Sequence, residues 1–408
     1  MTGGAVGEAG QDAAAAGFGV YVHVPFCRRR CDYCAFATYT DRDHLMADYV
    51  AACAAEVGRT VEEGTMVPAS SLYVGGGTPS RLPPDMLAEL IAAVPRRPGA
   101  EVTVECNPED VDSARLARYR SAGVTRLSLG VQSLVPRTLA SLGRRHGAAE
   151  ALEALAVVGE AGFESWNADL IFGAAGETDA DWQSTLDAVL GLTRPPPHLS
   201  AYALTVEPGT RLGADPRRHP DDDVQAARYE RTDRLLSDAG YRWEEISNWA
   251  RPGHGCAHNR LYWRQGDYRG IGAAAHSHRS GHRSWNVRTP ERYVGLVRAG
   301  RSPLAGEERL GPAERDFEAL ALSLRTPAGV PASALDSDGL DGLVVRREGR
   351  AVLTVGGRLL ADLVTARLRP EGPPGDAGTM PGMSATDAAA ATAAAVATTA
   401  VAAPDAPR

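Results

Sequence analysis

The sequence predicts an α/β protein: a partial TIM-type (β/α)6 barrel followed by a smaller C-terminal α+β domain, winged-helix-like in its order of elements. Two observations carry this. Short apolar runs alternate with helical stretches at βα spacing, which argues for a parallel sheet. Polar residues of chemical interest follow those runs, where a parallel barrel gathers its chemistry at the C-terminal strand ends. The predicted strands are Gly19 to Val24, Ser71 to Val74, Glu101 to Glu105, Arg126 to Leu129, Ser165 to Ile171 and His198 to Leu204. Helical patterns separate them, among them Asp43 to Arg59, Asp112 to Ala122, Ala148 to Gly162 and Asp179 to Leu192. After Tyr241 the texture changes to Trp, His, Asn and Arg without strand–helix alternation. Helices return at Ala313 to Leu324 and Val330 to Asp336, then a short hairpin (Leu343 to Arg346, Ala351 to Val355) and a helix from Leu359 to Leu368. The expected organisation is a disordered N-terminus (1–17), the barrel (18–245), a C-terminal domain (246–370) and a disordered Ala/Pro-rich tail (371–408).

Composition sets the class. The 408 residues are 44% hydrophobic and 23% charged, as in soluble globular proteins. All 43 basic residues are arginine, so Schiff-base and P-loop lysine chemistry are excluded. The net charge of −8 argues against a nucleic-acid coat. Of it, −2 lies in residues 1–17, −3 in 371–408 and only −3 in the body between them. No positively charged n-region precedes Arg28, and Ala388 to Ala403 is too short and too weakly apolar to span a bilayer. A reducing cytoplasm is the expected location, where clustered cysteines point to metal rather than disulfides.

Cys27, Cys31 and Cys34 form C-x3-C-x2-C directly after the first strand. Three thiolates so spaced can hold three irons of a [4Fe–4S] cubane and leave the fourth open to a small ligand. A zinc knuckle would want a fourth protein ligand nearby, and none stands there. Cys53, Cys106 and Cys256 are scattered and read as free thiols. Gly75, Gly76, Gly77 and Thr78 follow a strand, so backbone can approach a ligand and offer N–H groups, although a tight turn would look the same. Glu105, Gln132 and Asp169 lie at or near strand ends and Arg144 sits in LGRRH. Taken singly, each reads equally well as a helix cap or an ion-pair partner.

Together these blocks resemble the radical S-adenosylmethionine superfamily, whose signature is this cysteine spacing with an aromatic, here Tyr33, before the last Cys. YVHVPFC and CAF resemble the coproporphyrinogen dehydrogenase branch and its haem-chaperone relatives of HemW type, over roughly residues 18–370. The resemblance implies that GGGTP (Gly76, Gly77, Thr78) contacts the methionine end of S-adenosyl-L-methionine. It further implies that Glu105, Gln132 and Asp169 hold the ribose and amino-acid parts, that Arg144 reaches the carboxylate, and that Tyr21 stands near the methionine. Two departures separate the chain from the oxidase: Phe36 occupies the place of a fourth cysteine, and only 26 residues precede Cys27. His258-Asn259-x-x-Tyr262-Trp263 resembles the H-N-x-x-Y-W block of the HemW type. An imidazole there is a candidate axial ligand for haem, with a surface or hydrogen-bonded histidine as the plain alternative. FGAAGET and GIGAAAHSH depart from the family's turns.

The resemblance implies a carrier: a haem chaperone passing haem to respiratory acceptor proteins during transient contact at the membrane, with an electron donor for the cluster and no nucleic-acid partner. The rival is oxygen-independent oxidation of coproporphyrinogen III in porphyrin biosynthesis. A weaker third reading is radical chemistry on another substrate.

Overall fold

The structure is a computed structural model describing residues 17–336 and 339–370. The two segments expected to be disordered, and the Ala388 to Ala403 stretch, lie outside the described residues apart from Gly17.

Six strands run parallel and side by side in chain order: β1 (Gly19–Val24), β2 (Ala69–Gly76), β3 (Arg96–Cys106), β4 (Arg126–Gln132), β5 (Ser165–Phe172) and β6 (His198–Ala203). Between them run α1 (Met46–Glu62), α2 (Pro84–Ala93), α3 (Ser113–Ser121), α4 (Pro136–Ser141), α5 (Ala148–Glu160) and α6 (Asp179–Leu190); α7 (Asp222–Asp238) follows β6. The expected partial barrel is there. Its cause is a period of two. Val20, Val22 and Val24, then Leu72 and Val74, Val102 and Val104, and Leu127 and Leu129 alternate outward into the main hydrophobic core. The intervening residues face inward and are polar at most positions: Tyr21 and His23, Ser71 and Tyr73, Glu101 and Glu105, Ser128, Asn167 and Asp169. A barrel packed by apolar layers would carry branched aliphatics at those positions. This one encloses a polar bowl.

The region past Tyr241 departs from expectation, because it adds six strands to the same sheet. β7 (Arg242–Glu245) and β8 (Asn248–Ala250) pair antiparallel, and β8 lies against β6. The short helix α8 (Ala257–Trp263) leads to β9 (Tyr268–Ile271), which is parallel to β1 on the sheet's other side. β10 (His276–Arg279), β11 (His282–Asn286) and β12 (Leu304–Arg309) continue outward antiparallel, with α9 (Pro290–Arg298) before β12. Sequences such as HSHR and LAGEER carry no apolar alternation because they pair at the sheet's margin, and β12 is mostly exposed.

The last elements are α10 (Pro312–Leu324), β13 (Val330–Pro331), β14 (Val344–Arg347), β15 (Arg350–Leu353), α11 (Val355–Leu359) and α12 (Ala361–Thr365). The three strands form a separate sheet, and Leu324, Val330, Leu335, Leu353 and Val364 share their own core. The helix expected over Val330 to Asp336 is instead this short strand and a 3-10 turn, Ala332–Ala334. Val330 pairs with Ala351, and Pro331 supplies no N–H to a helix. The expected Leu359 to Leu368 helix breaks at Leu360 (φ −112°, ψ 30°). Among the described residues no helix is long and apolar enough to cross a membrane.

Candidate functional site at the C-terminal strand ends

The cysteine loop grows from the end of β1 and is tied at its base. Tyr39 N–H donates to Pro25 O (2.8 Å), and Cys27 N–H to Tyr39 O (3.0 Å). Its tip is held from elsewhere: Asp32 N–H donates to Leu142 O (3.2 Å), and Arg218 bonds Asp32 Oδ2 (3.0 Å). The glycine strip lies alongside, with Gly77 N–H on Val24 O (2.8 Å) and Thr78 N–H on Phe26 O (2.9 Å). Thr78 Oγ1 is 3.5 Å from Cys27 Sγ. Arg144 bonds Cys31 Sγ (3.4 Å), Asn107 Oδ1 (2.6 Å) and Gly130 O (2.8 Å), fixing a cation beside the thiols. Tyr33 lies beside Cys31 and Arg144. A shallow depression lined by Arg28, Arg29, Arg144 and Arg145 opens next to Cys31.

Burial pushes the Cys27 thiol up to about 12 and the Cys34 thiol to about 11, and Cys31 adds to both shifts. The three sulfurs are therefore electrostatic neighbours. Among the described residues no group of three Cys, His, Asp or Glu side chains stands in metal-holding geometry, so the thiols are not a preformed tripod. As a donor set, three soft ligands in one loop with an arginine on the sulfur of one of them fit an iron–sulfur cluster. Binding iron would have to displace the thiol protons.

The bowl next to the loop holds the acids. Glu105 accepts from Tyr73 Oη (2.9 Å) and Gly76 N–H (3.0 Å), and Asp169 from Ser128 Oγ (2.9 Å) and Asn167 Nδ2 (2.7 Å). Burial, then the nearby Asp169 charge, raises Glu105 to about 7; burial also raises Asp169. A register shift between Gly130 and Gln132 sets Gln132 at φ 67°. Gln132, Asn107 and Arg144 converge on Gly130, where an added Cβ would lie 3.0, 3.2 and 3.4 Å from their polar ends. Such bulges re-aim side chains next to sites. Tyr21 stacks on Tyr73 (6.3 Å) and its hydroxyl meets His23 Nδ1 (3.1 Å), while His23 Nε2 meets Ala37 O (3.0 Å) at the end of the cysteine loop.

The structure thus brings Tyr21, Tyr33, Gly76, Gly77, Thr78, Glu105, Gln132, Arg144 and Asp169 to one end of the barrel with the three cysteines. His258 is not there. α8 crosses the opposite, N-terminal ends of the strands, where Glu101 accepts the backbone N–H groups of Ala257 and His258 (both 3.1 Å). The His258 ring is 1% exposed, stacks on Tyr73 (5.3 Å), and meets Ser71 Oγ and Tyr262 Oη at 2.9 Å each. Burial pushes it down to about 3. In this arrangement neither nitrogen is free for an iron.

Sequence reasoning missed His23, Tyr73, Asn107, Ser128 and Asn167. The signal was present for three of them: His23 and Tyr21, Tyr73 and Gly75, and Asn167 and Asp169 are each two apart, which on a strand means the same face.

Residues 21–189 match the Radical SAM superfamily. The chain is 41% identical over 372 residues to the heme chaperone HemW of Mycobacterium tuberculosis, covering 86% of this chain and 94% of that one. It is 31% identical over 369 residues to the heme chaperone HemW of Bacillus subtilis, covering 84% and 97%. The mouse protein named radical S-adenosyl methionine domain-containing protein 1, mitochondrial, is 36% identical over 76% of this chain and 74% of its own. Among solved structures, the coproporphyrinogen III oxidase of Escherichia coli superposes with a TM-score of 0.74 at 22% identity, covering 88% of this chain and 92% of its own, a likeness of fold. With HemW relatives at 41% and 31% identity matched over 94% and 97% of their length, the chain belongs to the HemW family of radical SAM proteins.

Proposed function

We propose that the protein is a haem chaperone that binds a [4Fe–4S] cluster and S-adenosylmethionine and delivers haem to respiratory acceptors in transient contact at the membrane. In this reading it works in the cytoplasm, with an electron donor serving the cluster. Cys27, Cys31 and Cys34 would hold the cluster and leave it open to the methionine end of S-adenosylmethionine. When bound, the cluster supplies an open iron and one-electron chemistry. The chain's own residues do the placing. The Gly76–Thr78 backbone would lie along the ligand, Arg144 would meet its carboxylate, and Glu105, Gln132 and Asp169 would hold its ribose and amino-acid parts from within the bowl. Haem ligation by His258 would require its ring to give up the bond to Ser71 or to Tyr262.

The observation that carries the chaperone over the oxidase is Phe36, which stands where the oxidase branch has its fourth cysteine, in a chain whose close relatives are named haem chaperones. The test is to offer the anaerobic, cluster-loaded protein haem and coproporphyrinogen III separately. Stoichiometric haem binding without conversion of coproporphyrinogen is expected; turnover to protoporphyrinogen IX would sink the reading.

Glu105 makes the cofactor step pH-dependent. Its folded value, raised to about 7, keeps it largely protonated at pH 6. This raised value costs the unliganded fold stability as pH climbs from the free-carboxyl range through 7. The sulfonium-bearing, positively charged ligand beside it favours the ionised form, so binding releases a proton. S-adenosylmethionine should therefore bind roughly tenfold tighter at pH 8 than at pH 6, the ratio of ionised fractions. Calorimetry in buffers of differing ionisation heat would check this, and Glu105→Gln should flatten the profile.

A further inference from the structure

We infer that His276, with Trp285 and Arg288, forms a binding site for an iron porphyrin on the concave face of the extended sheet. The inference rests on the haem-chaperone reading and supplies the iron ligand for it.

It begins with a census of imidazoles. Of the ten histidines, His23, His146, His198, His258 and His278 have both ring nitrogens in hydrogen bonds, and His254 and His282 have one. Among the described residues His44, His219 and His276 have none. His44 and His219 are exposed and have no aromatic ring beside them; His276 is partly buried on a strand and lies against the Trp285 indole, with centroids 5.8 Å apart and planes 25° apart. It is the one imidazole both unbonded and framed.

Register shows which way it faces. Tyr21 pairs with Gly270 across β1 and β9, and Tyr268 pairs with His278 across β9 and β10, so His276 shares the inner face with Tyr21. Trp285 stands opposite His276 on β11, and Gly306 stands opposite Trp285 on β12. A Cβ at Gly306 would lie 2.5 Å from Trp285 Cζ2, so only glycine leaves the indole its place over β12. Arg288 is partly exposed, and its guanidinium is near enough to His23 and Tyr39 for its charge to act on both. Among the described residues no carboxylate stands within ion-pair distance of it.

The three groups are what a carboxylated metal macrocycle needs. A neutral imidazole supplies an axial nitrogen to iron, a flat indole stacked on that ring holds it at its angle, and a free guanidinium takes a propionate in a bidentate pair. Burial and the neighbouring Arg283 lower His276, keeping the ring neutral at pH 7. His258, by contrast, closes the barrel floor.

The test uses cluster-loaded full-length protein titrated with ferric haem, read by the Soret band and by electron paramagnetic resonance. His276→Ala should lose the imidazole-ligated spectrum, weaken binding by about tenfold or more, and regain the spectrum with added imidazole. His276→Met should replace the imidazole signature with a thioether one. Arg288→Ala should weaken binding without changing the ligand field. His258→Ala should keep the imidazole spectrum despite a lower unfolding midpoint. An unchanged spectrum in folded His276→Ala, with the imidazole signature lost only in folded His258→Ala, overturns the assignment while the chaperone reading stands. Failure of the wild type to bind haem overturns both, and haem bound without an imidazole signature overturns the assignment alone.

Discussion

Cys31→Ala is expected to purify with almost no cluster iron, against about four irons per chain in the reconstituted wild type. With one of three thiolates gone, two irons of the cubane lack protein ligands, and the cluster is lost as a unit. Cys31 is the informative member of the trio because its fold cost is small. It is partly exposed at the tip of the loop, whereas Cys27 is buried against Thr78. Arg144, which donates to Cys31 Sγ, keeps its bonds to Asn107 and Gly130 when the sulfur goes. The unfolding free energy of the iron-free chain should therefore move by only about 0.5 kcal/mol. Ser replacements of Cys53, Cys106 and Cys256 are the contrast. Those thiols lie on separate elements, and burial raises all three. They should keep the full iron complement. Iron assay and the charge-transfer absorbance near 400 nm read both series; a Cys31→Ala protein with its full iron would remove the cluster loop from the functional account.

The parts of the fold written in short-range pattern were readable, and the parts written in pairing were not. β1 to β6 announce themselves because Val20, Val22 and Val24 and their counterparts must be apolar to meet the helices. β10 to β12 do not, because a marginal strand such as LAGEER is held by ladder hydrogen bonds that any residue but proline can make. The same division runs through the site. The cysteines are visible because one loop carries all three. The bond from Arg144 to Cys31 joins residues 113 positions apart, and that from Tyr73 to Glu105 spans 32; neither leaves a mark in spacing. His258 shows the limit most sharply. Its motif marks it as a residue that matters, while its direction into the barrel floor is decided by Ser71 and Glu101 on two other strands.

Gly76→Ala should lower stability by about 2–5 kcal/mol, a large share of the roughly 5–15 kcal/mol of an ordinary domain. Two costs combine. Gly76 has φ 110°, where a side chain is strained by about 1–2 kcal/mol. Its Cβ would also overlap the His23 ring, an overpacking cost of about 1–3 kcal/mol. His23 cannot step aside, because Tyr21 Oη and Ala37 O hold its two nitrogens. Gly64→Ala separates the two costs: Gly64 has φ 67° but nothing within 4 Å of the added atom, so it should lose only about 1 kcal/mol. The clash itself is then measured by a double-mutant cycle with His23→Ala. Removing the ring from wild type breaks two hydrogen bonds, whereas removing it from the Gly76→Ala variant also relieves the overlap. The two changes should be coupled by about 1–3 kcal/mol in urea unfolding of the iron-free chain. Additivity within about 0.5 kcal/mol would mean that the strip is not seated on His23. Coupling of the expected size would make His23 the residue that locks the glycine strip to the end of the cysteine loop, since the same ring touches both.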